Sequence, residues 1–509
     1  MSTTIYEKEA MLTSLDEDFA DLKRALSAAV GQAMLHEVEK MLFRRLQQLG
    51  QALLEWFIAE SGTGYQAGRP PLSEMGVPLV YKGTVVSPYR SIFGEICITR
   101  AGYAHAEGGY FYPLDVQLNL PDHKYSYLLQ KWLQAGACET DFRQAVDRFN
   151  EIFDTSFFPE VPQRMGGPIA GQVNPFYAHA EGPTAQAEGT HLAISADGKG
   201  IPMLPAERAG GAPGADPKPR LGKGEKRGTK KEATVVVDFS FDPHPRDPEE
   251  LVNALMKKQT ETEREQARAE RHRRRQEGQL EPRQPRQVHV RATLQSKESA
   301  FRYLMERLEK RDPAAEKPLI ALIDGKPELE THLREQLQAY QRADRLDALI
   351  LDLIHASEYV WDVATALYGE KSPHRLVWVE DKLRTLLQSR VGRFIGGLKQ
   401  RLTKNQLTPT QHKTLQRTIT YFENHRHMMD YATYLAKGYP IATGLVEGTC
   451  GSLVKDRMEQ SGMRWSRVGA QAILDQRAVM KNGDWDNFWA FYIEQERERL
   501  YSTTYDRAA

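Results

Sequence analysis

The segment KPLIALIDGKPELETHLREQL, residues 317–337, carries the main signal of fold class: an apolar run of strand length stops at Asp324-Gly325, and a proline then opens an amphipathic helix. Directly downstream, RLDALILDLIHASEYVWDVATALYG (345–369) repeats the formula, with ALILDLI as a buried strand, Asp352 near its end and a helix after it. Upstream, VHVRATLQ (288–295) reads as a strand and SKESAFRYLMERLEKRD (296–312) as an amphipathic helix. Strand, helix, strand is the pattern of a right-handed crossover that makes parallel neighbours. Earlier still, HLAISADGKGIPMLP (191–205) predicts a buried strand ending near Asp197, a Gly turn and a second extended stretch. With ATVVVDFSFDP (233–243) it predicts two or three neighbouring antiparallel strands.

The chain around these segments has 509 residues, enough for about two to four domains with real cores. Lys and Arg number 68, as do Asp and Glu, so any attraction to nucleic acid must come from local clusters. There is no apolar run of membrane length, so no membrane-spanning helix is expected. Cysteines stand only at 97, 138 and 450, without metal-ligand spacing, and the N-terminus lacks a signal-peptide pattern, so a reducing cytoplasm is expected.

Composition divides the remainder. Residues 1–70 form an N-terminal helical region, with apolar residues at three- and four-residue spacing from Ser14 to about Glu60. Residues 71–165 read as an α+β region. VPLVYKGTVVSPYRSIFGEICITRAGYAHAEGGYFYPL (77–114) predicts a small antiparallel sheet with turns near Lys82-Gly83 and Glu107-Gly109. YSYLLQKWLQAGACETDFRQAVDRFNEIF (125–153) predicts two helices split at Gly136, a helix-turn-helix pattern. A Gly-, Pro- and Ala-rich linker is expected at 166–188. The core then starts at 189–372 with a charged insertion at 206–290, a helical insertion fills 373–437, and 438–509 carries a last long helix from about Pro440 to Met458 plus a tail.

Three acidic residues stand at the ends of separate elements: Asp197, Asp324 and Glu447, the last in the first turns of the final core helix. Taken singly, each has a bland reading as turn chemistry or helix-dipole complement. Brought to one sheet edge, they repel unless a cation sits among them, and oxygen ligation selects hard ions such as Mg²⁺ or Mn²⁺. Two such ions suit the attacking and leaving oxygens of a phosphodiester. The order strand, long segment, strand, helical segment, helix is the acidic arrangement of an RNase H-like fold. Since 127 residues separate Asp197 from Asp324 and 123 separate Asp324 from Glu447, both gaps must hold insertions.

Through the strings SADGKGIPM, IALIDGKPEL, LDLIHASEYVWDVA and GLVEGTCGSLVKDRMEQSGMRWS the chain resembles the insertion-sequence DDE transposases of the ISKra type, themselves similar to Mutator-like transposases, and the resemblance runs from about residue 75 to 495. The resemblance implies metal-dependent cleavage and strand transfer at the ends of a mobile DNA element, with Asp197, Asp324 and Glu447 as ligands of two Mg²⁺ or Mn²⁺ ions. Asp352 and His355 match a later Asp, two residues, His motif of that family. Spacing does not choose between Asp324 and Asp352 as second ligand; the family pattern ranks Asp324 first and keeps Asp352 with His355 as supporting residues. His355 alone could equally be a helix-start residue satisfying a carbonyl. The family often carries a zinc-ribbon Cys pair in its N-terminal β region, where this chain has Ala and His; Cys97 stands alone and His105 lacks thiolate partners, so no zinc is expected.

The expected architecture is thus an α+β DNA-binding region followed by an α/β RNase H-like core with a charged and an all-helical insertion. Lys455, Arg457, Arg464 and Arg467, with Trp465 as a stacking face, are the expected DNA contacts, each cation having helix-dipole complementation as its alternative. The expected partners are double-stranded DNA, as element ends and target, and further copies of the chain in a synaptic complex, with no membrane. Two rival readings share the fold: a structure-selective nuclease that cuts without joining, and a non-catalytic DNA-binding derivative, which keeping all three carboxylates disfavours.

Overall fold

The computed structural model describes residues 5–73, 76–105, 108–207, 229–257, 285–404, 406–442, 444–460 and 462–505, with positions 265, 268, 269, 272 and 273. About half of the charged insertion expected at 206–290 lies outside these residues. The protein is mixed α/β and divides into two compact units, one of residues 1–178 with 484–509 and one of residues 179–483. The tail past Gly483 therefore belongs to the first unit and not, as expected, to the core.

In the first unit, helices Ile5–Ala29 and Leu35–Ser61 pack together, the second capped by Glu37, whose carboxylate accepts the Met34 N–H at 2.9 Å. Strands β1 (Val80–Ser91), β2 (Gly94–Ala104) and β3 (Tyr110–Phe111) form an antiparallel sheet whose Ile96 and Ile98 bury against Ile58 and Leu114. Lys82-Gly83 is not a turn but a bulge inside β1, where pairing slips between Tyr81 and Gly83; the hairpin turns after Ser91 instead. Helix Tyr127–Glu139 runs through Gly136, because Ala137 and Cys138 continue its buried stripe, and it stops at Thr140 before the Asp141-capped helix Phe142–Phe153.

The stretch expected as a linker is folded: helices Glu160–Gly171 and Val173–His179 occupy its first half. Val161, Met165, Ile169 and Val173 recur every four residues and are buried, a helical stripe that outweighs the Gly and Pro composition around it. Phe176 completes it against Phe488, ring centroids 5.6 Å apart, on helix Trp485–Tyr505.

In the second unit, β4 (His191–Pro202), β5 (Lys230–Phe241), β6 (Arg286–Thr293), β7 (Leu319–Ile323) and β8 (Leu346–Leu351) form one sheet in the order β6-β5-β4-β7-β8. The β4–β5 and β5–β6 pairs are antiparallel, and the β4–β7 and β7–β8 pairs parallel. Residues 233–241 of β5 are all buried, so both faces of the sheet are covered there. Helices Lys297–Arg311 and Pro327–Ala339 make the connections into β7 and β8. Only β7 and β8 are joined as parallel neighbours; the β6-to-β7 connection passes over β5 and β4, since β5 and β4 already occupy the places between them. Nor does β4 end at Asp197. It continues through Gly198 and Gly200 because β5 pairs with it along its whole length, from His191↔Phe241 to Pro202↔Lys230.

Past β8, helices Leu353–Tyr368, Pro373–Leu387, Val391–Lys404, Pro409–Asn424 and Tyr431–Ala436 follow in close succession. The final core element is shorter than expected and irregular: α-helix Gly444–Thr449, a π-helical stretch Cys450–Lys455 and a last α turn Asp456–Met458.

Candidate metal centre

Sheet register aligns three acidic residues. Ala196 of β4 pairs with Ile323 of β7, and Ile323 pairs with Leu351 of β8, so the next residues stand at one level: Asp197 inside β4, where its pairing with β7 stops, and Asp324 and Asp352 just past the ends of β7 and β8. For β7 and β8 this is the carboxyl end, the edge where open α/β sheets place their ligand sites, and the middle of β4 lies beside it. Each carboxylate is held locally. Asp197 Oδ1 accepts the Gly198 N–H at 2.5 Å, Asp324 Oδ1 accepts the Lys326 N–H at 2.9 Å, and Asp352 Oδ1 caps helix Leu353–Tyr368 by accepting the Ile354 N–H at 2.8 Å. Asp352 is fully buried.

Glu447 reaches this edge because the Leu353 N–H donates to the Ile441 carbonyl at 3.0 Å, so the chain enters the Glu447 helix beside Asp352. His355, in the first turn after Asp352, lies between the carboxylates. Its Nδ1 is 3.6 Å from Glu358 Oε2 and its Nε2 3.8 Å from Glu447 Oε1. Burial pulls the imidazole pKa down, but Asp352, Glu358, Asp324 and Asp197 together outweigh it and hold it above its ordinary value.

Two groups of donor atoms result, each with all atoms within 4.8 Å of one another: Asp197, Asp324 and His355, and Asp352, His355 and Glu447. The expected trio of Asp197, Asp324 and Glu447 does not form a single such group; His355 links its two halves. Asp324 and Asp352 belong to different groups.

Three further side chains complete the site. Lys326 puts its Nζ 2.9 Å from Asp324 Oδ2, 3.5 Å from Asp197 Oδ1 and 3.8 Å from Glu232 Oε2. Cys450, at the start of the π-helical stretch, donates its thiol to Asp197 Oδ2 at 3.5 Å; burial first, then the Asp197 charge, push that thiol well above its ordinary pKa and keep it a donor. Tyr421, from helix Pro409–Asn424, donates its hydroxyl to the Asp324 carbonyl at 3.1 Å. Lys326 and Cys450 fall inside motif strings but carry no mark of their role, and Tyr421 and Glu232 have no sequence signal, because 97 residues separate Tyr421 from Asp324 and 94 separate Glu232 from Lys326 in the chain.

The expected DNA contacts separate into two kinds. Lys455, Arg464 and Arg467 are exposed. Arg457 and Trp465 are buried, with the guanidinium 4.8 Å from the indole centroid, its Nη1 donating to Met463 Sδ at 3.2 Å and the indole N–H donating to the Met458 carbonyl at 3.1 Å. As placed, that pair holds the segment together and presents no stacking face, which corrects the expectation. Trp465 also bridges to the end of β4, its backbone N–H donating to the Pro202 carbonyl at 3.0 Å.

No family model matches the chain and no curated protein matches it, so the functional reading stands on this geometry. Among the described residues, no helix is long and apolar enough to cross a membrane.

Proposed function

We propose that the protein is a DDE-type DNA transposase whose second unit is an RNase H-like catalytic domain. The observation that carries this reading is the register of Asp197, Asp324 and Asp352 across β4, β7 and β8, with Glu447 brought to the same edge from a later helix. Three antiparallel strands followed by two parallel ones, with acids on the first and fourth strands in chain order, support the RNase H-like reading.

The donor set fits a divalent cation. Carboxylate oxygens with one imidazole suit Mg²⁺ and, more tolerantly of nitrogen, Mn²⁺. His355 Nε2 is buried, makes no hydrogen bond among the described residues, and points a lone donor atom at the carboxylates. The Lys326 ammonium already occupies a cationic position between Asp197 and Asp324. Asp197 and Asp324 would hold one ion and Asp352 and Glu447 a second, with His355 within reach of both. Ions there would supply Lewis-acid polarisation of the phosphodiester and charge neutralisation at the reacting oxygens. The chain's own part is positional: the backbone N–H groups of Gly198, Lys326 and Ile354 orient the carboxylates, and Lys455, Arg464 and Arg467 attract the DNA backbone.

Strand cleavage and joining on labelled DNA carrying the element's ends, with Mg²⁺ or Mn²⁺, tests the proposal. Joined products from the wild type, lost in Asp197→Asn and Asp324→Asn proteins that still fold and bind DNA, are expected. Cleavage without joining would make the protein a nuclease on the same fold, and DNA binding without metal-dependent chemistry would remove the enzyme reading.

A further inference from the structure

The geometry points to Lys326 as a resident counter-cation, which holds the place between Asp197 and Asp324 until a divalent ion displaces it. The inference rests on the metal-centre reading above and adds to it a role for a residue outside the ligand set.

Three observations carry it. First, the ammonium is the cation seated between the two carboxylates, 2.9 Å from one and 3.5 Å from the other, and it offsets the repulsion that two register-aligned aspartates would otherwise feel. An ion bound to the same oxygens and an ammonium at these distances exclude each other through like charge. Second, Lys326 can leave. Its side chain is 40% exposed on a flexible four-carbon stem, and Glu232, itself 43% exposed, already lies 3.8 Å from Nζ as an alternative seat on β5. Third, leaving does not disturb the turn, because the contact orienting Asp324 is the Lys326 backbone N–H, which stays whatever the side chain does. The arrangement keeps the carboxylates apart and ordered in the ion-free protein and sets a threshold on ion binding. On displacement it frees an ammonium at the rim of the site, where a phosphate would enter.

The test is Mn²⁺ binding to the full-length chain stripped with EDTA, followed by electron paramagnetic resonance without DNA or turnover. Lys326→Met, which keeps the stem and removes the charge, is expected to lower the Mn²⁺ Kd about tenfold, with Lys326→Gln in the same direction. Lys297→Met is the control: Lys297 also pairs with Glu232, at 3.5 Å, but its other partner is Glu328 and not either aspartate, and its Kd is expected within about threefold of wild type. An unchanged or raised Kd in both Lys326 variants, or equal tightening in Lys297→Met, overturns the inference. If Asp197→Asn still abolishes binding in those cases, the metal centre itself stands. Absence of Mn²⁺ binding in wild type and both Lys326 variants overturns the inference and the metal centre together.

Discussion

The Tyr421 hydroxyl donates to the backbone carbonyl of Asp324 at 3.1 Å, so the helical segment after β8 holds the loop that carries a candidate metal ligand. Tyr421→Phe removes that bond and nothing else of size. It is expected to lower stability by about 1 kcal/mol in urea unfolding and to weaken Mn²⁺ binding several-fold. Unchanged Mn²⁺ affinity would show that the segment does not position the ligand.

Gly325, next to that carbonyl, has φ +84°, and a Cβ there would meet Leu351 Cδ1 at 2.9 Å, Tyr421 Oη at 3.1 Å and His425 Nε2 at 3.2 Å. Gly325→Ala therefore combines a left-handed backbone with crowding from three sides, and is expected to lower the unfolding free energy by about 1–3 kcal/mol. A melting temperature equal to wild type would contradict this account of the turn.

Asp352 serves as a helix cap as well as a candidate ligand, and two substitutions separate the roles. Asp352→Asn keeps an acceptor for the Ile354 N–H, so it should melt near wild type, whereas Asp352→Ala loses about 1 kcal/mol. In the cleavage assay, Asp197→Asn and Asp324→Asn are expected to lower rates at least about a hundredfold. Asp352→Asn should fall short of that, because one of its oxygens already serves the cap. Equal activity of Asp324→Asn and wild type would remove Asp324 from the ligand set.

Arg457 and its basic neighbours should respond to different measurements. Arg457→Ala breaks a buried guanidinium's contacts with Trp465 and Met463 and is expected to lower stability by about 2 kcal/mol. Replacing exposed Lys455, Arg464 and Arg467 by Ala should leave stability intact, weaken DNA binding, and flatten the log K against log salt plot by up to about 0.9 per lost phosphate contact. An unchanged salt slope would place the DNA elsewhere.

The core also predicts acid sensitivity. Burial first, then Arg307, Arg291 and Arg311, hold the His289 pKa well below its ordinary value, and its Nε2 lies 2.6 Å from the Tyr303 hydroxyl. Below the unfolded-state pKa the unfolded chain takes up a proton that the buried imidazole refuses. Its contribution is therefore complete above about pH 6.5 and is lost as pH falls, at up to about 1.4 kcal/mol per pH unit. Urea unfolding of wild type and His289→Gln between pH 7 and 5 should show the steeper loss in wild type; parallel lines would exclude this group as the cause.

Much of the second unit is legible locally. The runs at 319–323 and 346–351 are short, apolar and bounded by Asp-Gly or Asp-Leu with a helix beyond, and a strand buried on both faces leaves that signature in any context. The Gly- and Pro-rich composition in and just before the linker expected at 166–188 misleads because it hides the four-residue spacing of Val161, Met165, Ile169 and Val173, and packing follows spacing. The Gly turn expected after Asp197 fails for a related reason: glycine weakens a strand's own preference, but an unbroken ladder to β5 supplies what the residue lacks.

Acidic residues that end apolar segments at 324 and 352, another at 197 and Glu447 opening a late helix are legible in the chain alone, because each rests on residues within one or two turns of chain. Which of them meet is a property of the folded molecule. Register pairs Ala196 with Ile323 and Ile323 with Leu351, and this level alignment, with His355 between the two donor groups and Lys326 between two aspartates, comes from hydrogen bonds and packing among strands far apart in the chain. Burial of Arg457 and Trp465 was decided the same way, since a cation beside an aromatic reads alike in sequence whether it faces solvent or the core.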